Sequence, residues 1–325
     1  MKKSCLILLL YLFMSAPFQG IAETLKIGFL VKLPEETWFQ QEWAYAQQYA
    51  DANGIEFIPI GIPDAEKTFA AIDNLAAQEA QGFIICPPDP ALGPAVMARA
   101  RQYNLNVLNV DDRFLDTDGT FMDVPYMGLS MSGVGASVGD ALHQEFLQRQ
   151  WPLTETAALA VTFDELYTAK QKTDAATAAL IEHGFPSERI YAAPEETTDI
   201  PGAFEAANAI LLDHPEVTRW LVYSFNEEGV IGAVRALEFK GFTAETIIGI
   251  GPGTGSGFAE FQGSALTGYF ATFLITPYSH GYHATELLHR WIQNGITPPQ
   301  ETWTTGILVI RDNYHAVLSE LGLAP

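Results

Sequence analysis

The sequence predicts an α/β protein of two doubly wound lobes, and three observations predict it. Short apolar runs of strand length recur along the 325 residues, helical stretches separate them, and the rhythm restarts once near the middle of the chain. Near-continuous apolar strands linked by helical crossovers belong to parallel sheets covered on both faces. Two such series call for two lobes. A hydrophobic content of 48% over about 300 residues after the leader suits two packed domains.

The chain begins MKKSCLILLLYLFMSAPFQGIA, with two lysines, an apolar run from Cys5 to Met14, and small residues at Gly20 and Ala22. That order predicts a secretory signal peptide over 1–22, cleaved after Ala22; the run is too short to span a bilayer. Cys5 lies inside the run, without the surroundings of a lipid-anchor cysteine. Cleavage leaves Cys86 as the single cysteine, so the mature chain is expected to have no internal disulfide. Two of the 17 basic residues and none of the 39 acidic ones fall in the leader, so the mature charge is −24. Such a chain repels phosphate backbones and anionic membrane surfaces, and nucleic acid is excluded as a partner.

The first series of strands is expected at Leu25–Val31, Ile55–Ile62, Gly82–Cys86 and Asn106–Val110. One helix runs from about Glu36 to Ala52 and stops at Asn53-Gly54. The next starts from Asp64, an N-cap residue, with Phe69, Ile72, Leu75 and Ala76 on one face. The second series has strands at Ala157–Phe163, Arg189–Ala193, Trp220–Ser224 and Ile247–Ile250, with helices near 166–184, 202–213 and 227–240. The crossing between the series falls near Gly128–Met131, with no repeat, low-complexity tract or Pro/Ser-rich linker to mark it.

Ligands of open α/β sheets bind outside the carboxyl ends of the strands, and here those ends carry the polar and aromatic residues. Lys32 to Phe39 follows the first strand, Pro87-Pro88-Asp89 the third, and Asp111-Asp112-Arg113 the fourth. In the second series come Asp164 to Lys172, Asn226-Glu227, and Gly251 to Gly257. Carboxylates and a lysine can hold hydroxyls, and flat rings can cover the apolar faces of a sugar. The stretch FLVKLPEETWFQQEW therefore reads as one wall of a cleft.

The segments KIGFLVKLPEETWFQQEW, GIPDAEKTFAAIDNLAA, GFIICPPDP, VDDRF, DIPGAFEAAN, HPEV, IIGIG and HGY, in this order, resemble the L-arabinose-binding proteins of bacterial sugar ABC transporters. The resemblance runs through essentially the whole mature chain. It implies a type I periplasmic binding fold, in which two Rossmann-like lobes joined by three crossing hinge segments close on a monosaccharide. On that pattern 23–129 with 277–303 form the first lobe, 130–276 with 304–325 the second, and the ligand cleft lies between them. The family's ligand-contacting positions carry over to Lys32, Glu36, Trp38, Phe39, Cys86, Asp111 and Asp112 in the first lobe. In the second they carry over to Leu166, Thr168 and Asn226.

Other matching positions depart from the family. A family arginine is Lys172, methionines are Leu129 and Phe225, a binding asparagine is Gly253, and a nearby aspartate is Ser256. Lysine keeps the charge but loses the planar two-pronged donor, and Gly253 has no side chain to offer a hydroxyl. The expectation is a sugar other than L-arabinose as the tightest ligand, with Gly253→Asn and Lys172→Arg together shifting preference back toward it.

Each signal has a plainer rival. Trp38 and Phe39 can serve as core residues of the following helix, the Asp111-Asp112 pair as a turn cap, and Cys86 as a small buried apolar residue. Gly251 to Gly257 lacks the Gly-Lys-Ser/Thr ending of a phosphate loop, and the seven histidines show no metal-ligand spacing with cysteine. Three functions compete: a solute-binding protein for a pentose or hexose; a glycoside-processing enzyme using Glu36 and Asp112, which needs a defined separation of the two carboxylates; and a sugar-responsive sensor domain, disfavoured by the leader, the charge and the lack of a DNA-reading helix pair. The first is adopted. It implies an exported monomer without cofactor or metal, with a monosaccharide as ligand, an inner-membrane ABC permease as partner and a chemoreceptor as an optional second one.

Overall fold

In the computed structural model, residues 24–323 are described, and the expected leader over 1–22 lies outside them. Two six-stranded sheets organise the chain. The first has the order β2-β1-β3-β4-β5-β11, from β1 (Lys26–Val31), β2 (Glu56–Gly61), β3 (Gly82–Cys86), β4 (Asn106–Val110), β5 (Tyr126–Leu129) and β11 (Glu301–Thr304). All its neighbours run parallel. The second has the order β7-β6-β8-β9-β10-β12, from β6 (Thr156–Thr162), β7 (Ile190–Pro194), β8 (Arg219–Ser224), β9 (Ile247–Gly253), β10 (Tyr269–Leu274) and β12 (Ile307–Ile310). Only β12 is antiparallel to its neighbour.

Both sheets are covered on both faces because their strands are apolar on both sides. In β1, Ile27, Phe29 and Val31 enter one core cluster with α1 (Thr37–Asn53) and α9 (Ala284–Asn294), while Leu30 enters another with α2 (Ala65–Ala77) and α3 (Gly93–Gln102). The alternation of strand side chains produces that division. In β6, Ala157, Leu159 and Val161 face α6 (Ile200–Asp213) and α7 (Glu227–Phe239), whereas Ala158 and Ala160 face α4 (Met131–Gln148) and α5 (Tyr167–Glu182). Each fully buried Val, Leu, Ile or Phe contributes about 1.5–3 kcal/mol. A Cβ at Gly135 of α4 would fall on the carbonyl oxygen of Lys172 in α5, so glycine is what lets these two helices approach so closely.

Helix starts follow the expected chemistry. Asp64 accepts from the Lys67 backbone N–H at 2.8 Å, Asp199 from Gly202 at 2.9 Å, and Asn226 from Gly229 at 2.8 Å. A cap of this kind contributes about 1 kcal/mol. The eight expected strands are all present, with ends displaced by a residue or so, except that β9 continues to Gly253 rather than stopping at Ile250. The short strands β5, β10, β11 and β12 were not anticipated. The chain passes from β5 in the first sheet to α4 on the second, returns after β10 to α9 on the first, and passes from β11 to β12. Among the described residues no helix is long and apolar enough to cross a membrane.

Candidate functional site

In each sheet the first strand, β1 or β6, lies between its sequence neighbour and the strand after that, which leaves a crevice at the carboxyl ends where the order reverses. The candidate residues lie at those ends. Cys86 is the last residue of β3, Leu129 of β5 and Gly253 of β9; Asp111 and Asp112 follow β4 directly, and Phe225 and Asn226 follow β8. Lys32 follows β1, and Glu36, Trp38 and Phe39 start α1. Leu166, Thr168 and Lys172 start α5, while Ser256 opens a single turn after β9.

In the first lobe, Lys32 Nζ pairs with Asp112 Oδ2, and the Cys86 thiol donates to the same oxygen at 3.7 Å. Both charged side chains are about a third exposed, so the pair is open to solvent at the strand ends. Burial opposes the charge on Lys32, but the bond to Asp112 and the neighbouring acids outweigh it and raise its pKa. Burial, reinforced by Asp111 and Asp112, pushes the Cys86 thiol far up, so it serves as a small neutral group. Phe39 is buried among Phe29, Val31 and Ala46 in the core, whereas Trp38 is only half-buried and meets His280 edge-on with centroids 5.7 Å apart. Glu36 is exposed at the start of α1 and makes no side-chain cap bond.

Asp111 faces away from Asp112. Its φ of 57° places it in the left-handed region, which aspartate tolerates better than most side chains. Three contacts hold it there: its N–H donates to Met127 O at 3.0 Å, the Tyr126 hydroxyl donates to its carbonyl at 2.7 Å, and His280 Nδ1 lies 2.7 Å from its Oδ1. Buried Asn109 clamps the same turn, donating to Asp112 O at 2.8 Å and accepting from the Phe114 N–H at 2.8 Å. Burial raises the Asp111 pKa, but the His280 contact overrides it and the net shift is downward.

The second lobe presents a different wall. Leu166 and Thr168 are exposed, Phe225 is buried, and Lys172 is half-buried with Nζ donating to Phe225 O at 3.2 Å. Burial lowers the Lys172 pKa. Asn226 spends its Oδ1 on the helix cap and one amide hydrogen on Thr198 O at 3.2 Å, leaving one N–H for a ligand. The loop after β9 is organised by Glu227, which is 1% exposed. Its Oε2 accepts from the N–H groups of Gly255 and Ser256 and from the Ser256 hydroxyl, at 3.0, 2.9 and 2.8 Å. Its Oε1 accepts from the Gly257 N–H at 3.1 Å and from Thr272 at 2.9 Å. The glycine-rich loop is thus an anion nest filled by the chain's own carboxylate, which explains its likeness to a phosphate loop. A Cβ at Gly253 would fall on Glu227 Oε2. A side chain at 253 therefore displaces the Glu227 carboxylate from its loop, and the paired change Gly253→Asn with Lys172→Arg suggested by the sequence carries that cost.

Glu42, Tyr126 and Asn109 were not singled out in the sequence, and Glu227 and His280 stood out only as the neighbour of Asn226 and as part of the HGY segment. The one local signal for Glu42 was its spacing four residues after Trp38, whose indole N–H donates to Glu42 Oε1 at 3.0 Å. Asn109 acts within its own turn, on Asp112 and Phe114, while His280, Tyr126 and Glu227 act through contacts with residues farther along the chain.

The model of periplasmic binding proteins and the sugar binding domain of the LacI family matches residues 24–316. The chain is 46% identical over 310 residues to the ABC transporter L-arabinose-binding periplasmic protein of Azospirillum brasilense, a match covering 94% of this chain and 93% of that one. It is 44% identical over 306 residues to the L-arabinose-binding periplasmic protein of Escherichia coli (strain K12), with the same coverage. The crystal structure of a periplasmic ribose ABC transporter protein from Conexibacter woesei DSM 14684 superposes with a TM-score of 0.62 at 18% identity, over 93% of this chain and 97% of that one. That last likeness is one of fold. Two mainly parallel sheets with polar side chains gathered at the strand ends, and these matches along nearly the whole described chain, show that it belongs to the periplasmic binding proteins and groups with the L-arabinose-binding members among them.

Proposed function

We propose that the protein captures a neutral monosaccharide, an L-arabinose-like pentose or a related hexose, in a cleft between the lobes and delivers it to an inner-membrane ABC permease. The observation that carries this reading is the solvent-open Lys32–Asp112 pair, about a third exposed, with Cys86 against it, at the carboxyl ends of β1, β3 and β4. A lysine offers hydrogen-bond donors and a carboxylate accepts, so together they match a hydroxyl, which does both. Trp38, half-buried at the start of α1, supplies a flat apolar face beside them. Lys172 and the free amide hydrogen of Asn226 are the polar groups proposed for the opposite wall.

Binding accounts for these residues without a reaction. Glu36, the acid partner that a glycosidase would need, is exposed and unsupported, and Asp112 is tied to Lys32. The leader and the periplasmic relatives support export to the periplasm; a monomer, with a chemoreceptor as a second docking partner, completes the proposal. A thermal-shift screen against pentoses, hexoses and their deoxy forms tests the reading. One or a few sugars should raise the melting temperature by several degrees, and a flat response across the panel would refute it.

A further inference from the structure

We propose that Glu42 acts as a protonated donor to Asp111, so that one shared proton, together with His280, fixes the sugar-facing turn after β4 and ties it to the crossing strand β11. Glu42 and His280 are then positioning residues of the binding site, and the inference rests on the sugar-binding reading above.

The geometry is specific. Glu42 is 0% exposed and His280 1% exposed. Glu42 Oε1 accepts from Trp38, and Asp111 Oδ1 faces His280, but Glu42 Oε2 and Asp111 Oδ2 are both buried without a partner. Ligating atoms of Glu42, Asp111 and His280 all lie within 4.8 Å of one another. Glu42 and Asp111 are in direct side-chain contact, and two ionised carboxylates no farther apart than 4.8 Å would repel by at least roughly 3 kcal/mol at an effective dielectric of about 20. A single proton turns this repulsion into a hydrogen bond and satisfies both orphaned oxygens.

The surroundings decide where the proton sits. Burial and the neighbouring Asp111 raise the Glu42 pKa well above the usual carboxylate range, while the contact with His280 holds Asp111 down. The other groups facing the pair are Lys32, Cys86 and Asp112 at the ends of β1, β3 and β4, and Tyr126 in β5; the lysine is engaged by Asp112. Asp111 only accepts, so His280 Nδ1 carries a proton toward it. His280 Nε2 lies 2.9 Å from the Thr304 hydroxyl at the end of β11. Thr304 O in turn accepts from the Ser130 N–H at the start of α4, at 2.9 Å. The chain of contacts thus joins the wall beside Trp38 to two of the segments that pass between the sheets. The turn bearing His280 is a single wide π turn, Ser279–His283, a form that recurs at functional positions.

The test compares wild type, Glu42→Gln and Glu42→Leu by calorimetry with L-arabinose and the other sugars of the panel, from mildly acidic to alkaline pH. The glutamine amide reproduces the donor to Asp111 and the acceptor for Trp38, so its affinity at neutral pH should stay within roughly threefold of wild type. The leucine variant should lose tenfold or more, by the same scale. Wild-type affinity should fall as alkali removes the Glu42 proton, and the glutamine profile should be flatter. Thermal unfolding without sugar reports on the proton alone: the glutamine variant should gain on wild type as pH rises. An amide variant that binds as poorly as leucine, fails to fold, or keeps the wild-type pH profile overturns the proposal. Loss of binding in the amide variant together with sensitivity of wild type to a chelator would instead assign the three side chains to a divalent cation. If no sugar binds the wild type, the sugar reading fails, while the unfolding comparison still decides the shared proton.

Discussion

Asp112 and Trp38 are the residues whose roles separate most clearly by substitution. In Asp112→Asn one carboxylate oxygen becomes an amide donor facing Lys32 and the ligand hydroxyl. A hydrogen bond to a charged group contributes about 1.5–3 kcal/mol, so affinity should drop roughly 10- to 100-fold. Titration calorimetry checks this; an unchanged affinity would move the ligand elsewhere. Trp38 touches His280 and donates to Glu42, so its ring and its N–H have distinct partners. Trp38→Phe should keep part of the stacking face and lose the bond to Glu42, while Trp38→Ala should abolish the ligand-induced fluorescence change and bind more weakly still. An alanine variant that unfolds while its folded remainder binds normally would make Trp38 a core residue instead.

Elements carry the differences between the two walls. Glu227 holds the loop from Gly255 to Gly257 and also Thr272 of β10, so removing its carboxylate strands several buried donors. Glu227→Ala should cost about 3 kcal/mol or more, since each buried donor left unsatisfied costs about 1–3 kcal/mol, measurable by denaturant unfolding. Gly253→Asn alone should destabilise for the same reason, and a shorter residue at 227 should partly relieve it. The remodelled wall leaves the expectation of a ligand preference different from L-arabinose in force. A second element-level prediction concerns Glu195, just after β7, which is 6% exposed with neither carboxylate oxygen partnered. Burial, then Asp199 and Glu228, raise its pKa to about 7. Because the folded value lies above the unfolded value of about 4.3, the protonated form supports the fold in acid, and that support is lost as pH rises toward 7. Glu195→Gln should therefore match wild type in acid and melt several degrees higher at neutral and alkaline pH; identical melting profiles would contradict this.

These elements also show what a sequence can reveal. The strands β1, β3, β6 and β8 were legible because buried parallel strands are apolar on both faces. The strands β11 and β12 were not: their residues alternate between partial and full exposure or are mostly half-buried, and only pairing with β5 and β10 makes them strands. In β9 the glycines 251 and 253 read as loop, yet they lie within the strand beside Glu227. The positions of Lys32 and the aspartate pair at strand ends were legible from the rhythm alone. Their partners His280 and Tyr126 were not, since nothing local in the chain records a contact made between separate elements, and Asn109 read only as a strand residue although it clamps the turn three residues on.

At the scale of the whole molecule, two sheets present their carboxyl ends with unlike chemistry. The first lobe offers a charged pair and an aromatic face; the second offers a lysine, a helix-capping asparagine and a loop sealed by Glu227. Strands β5 and β11 lie at one edge of the first sheet and lead directly to elements of the second, so their crossings are suited to serve as hinges. Calorimetric titration of the wild-type protein with L-arabinose, D-galactose, fucose and xylose tests the central claim most directly. The account predicts one sugar bound per chain at micromolar or tighter affinity, with no turnover of aryl glycosides under the same conditions. Heatless titrations across all four sugars, or hydrolysis of a glycoside, would contradict it.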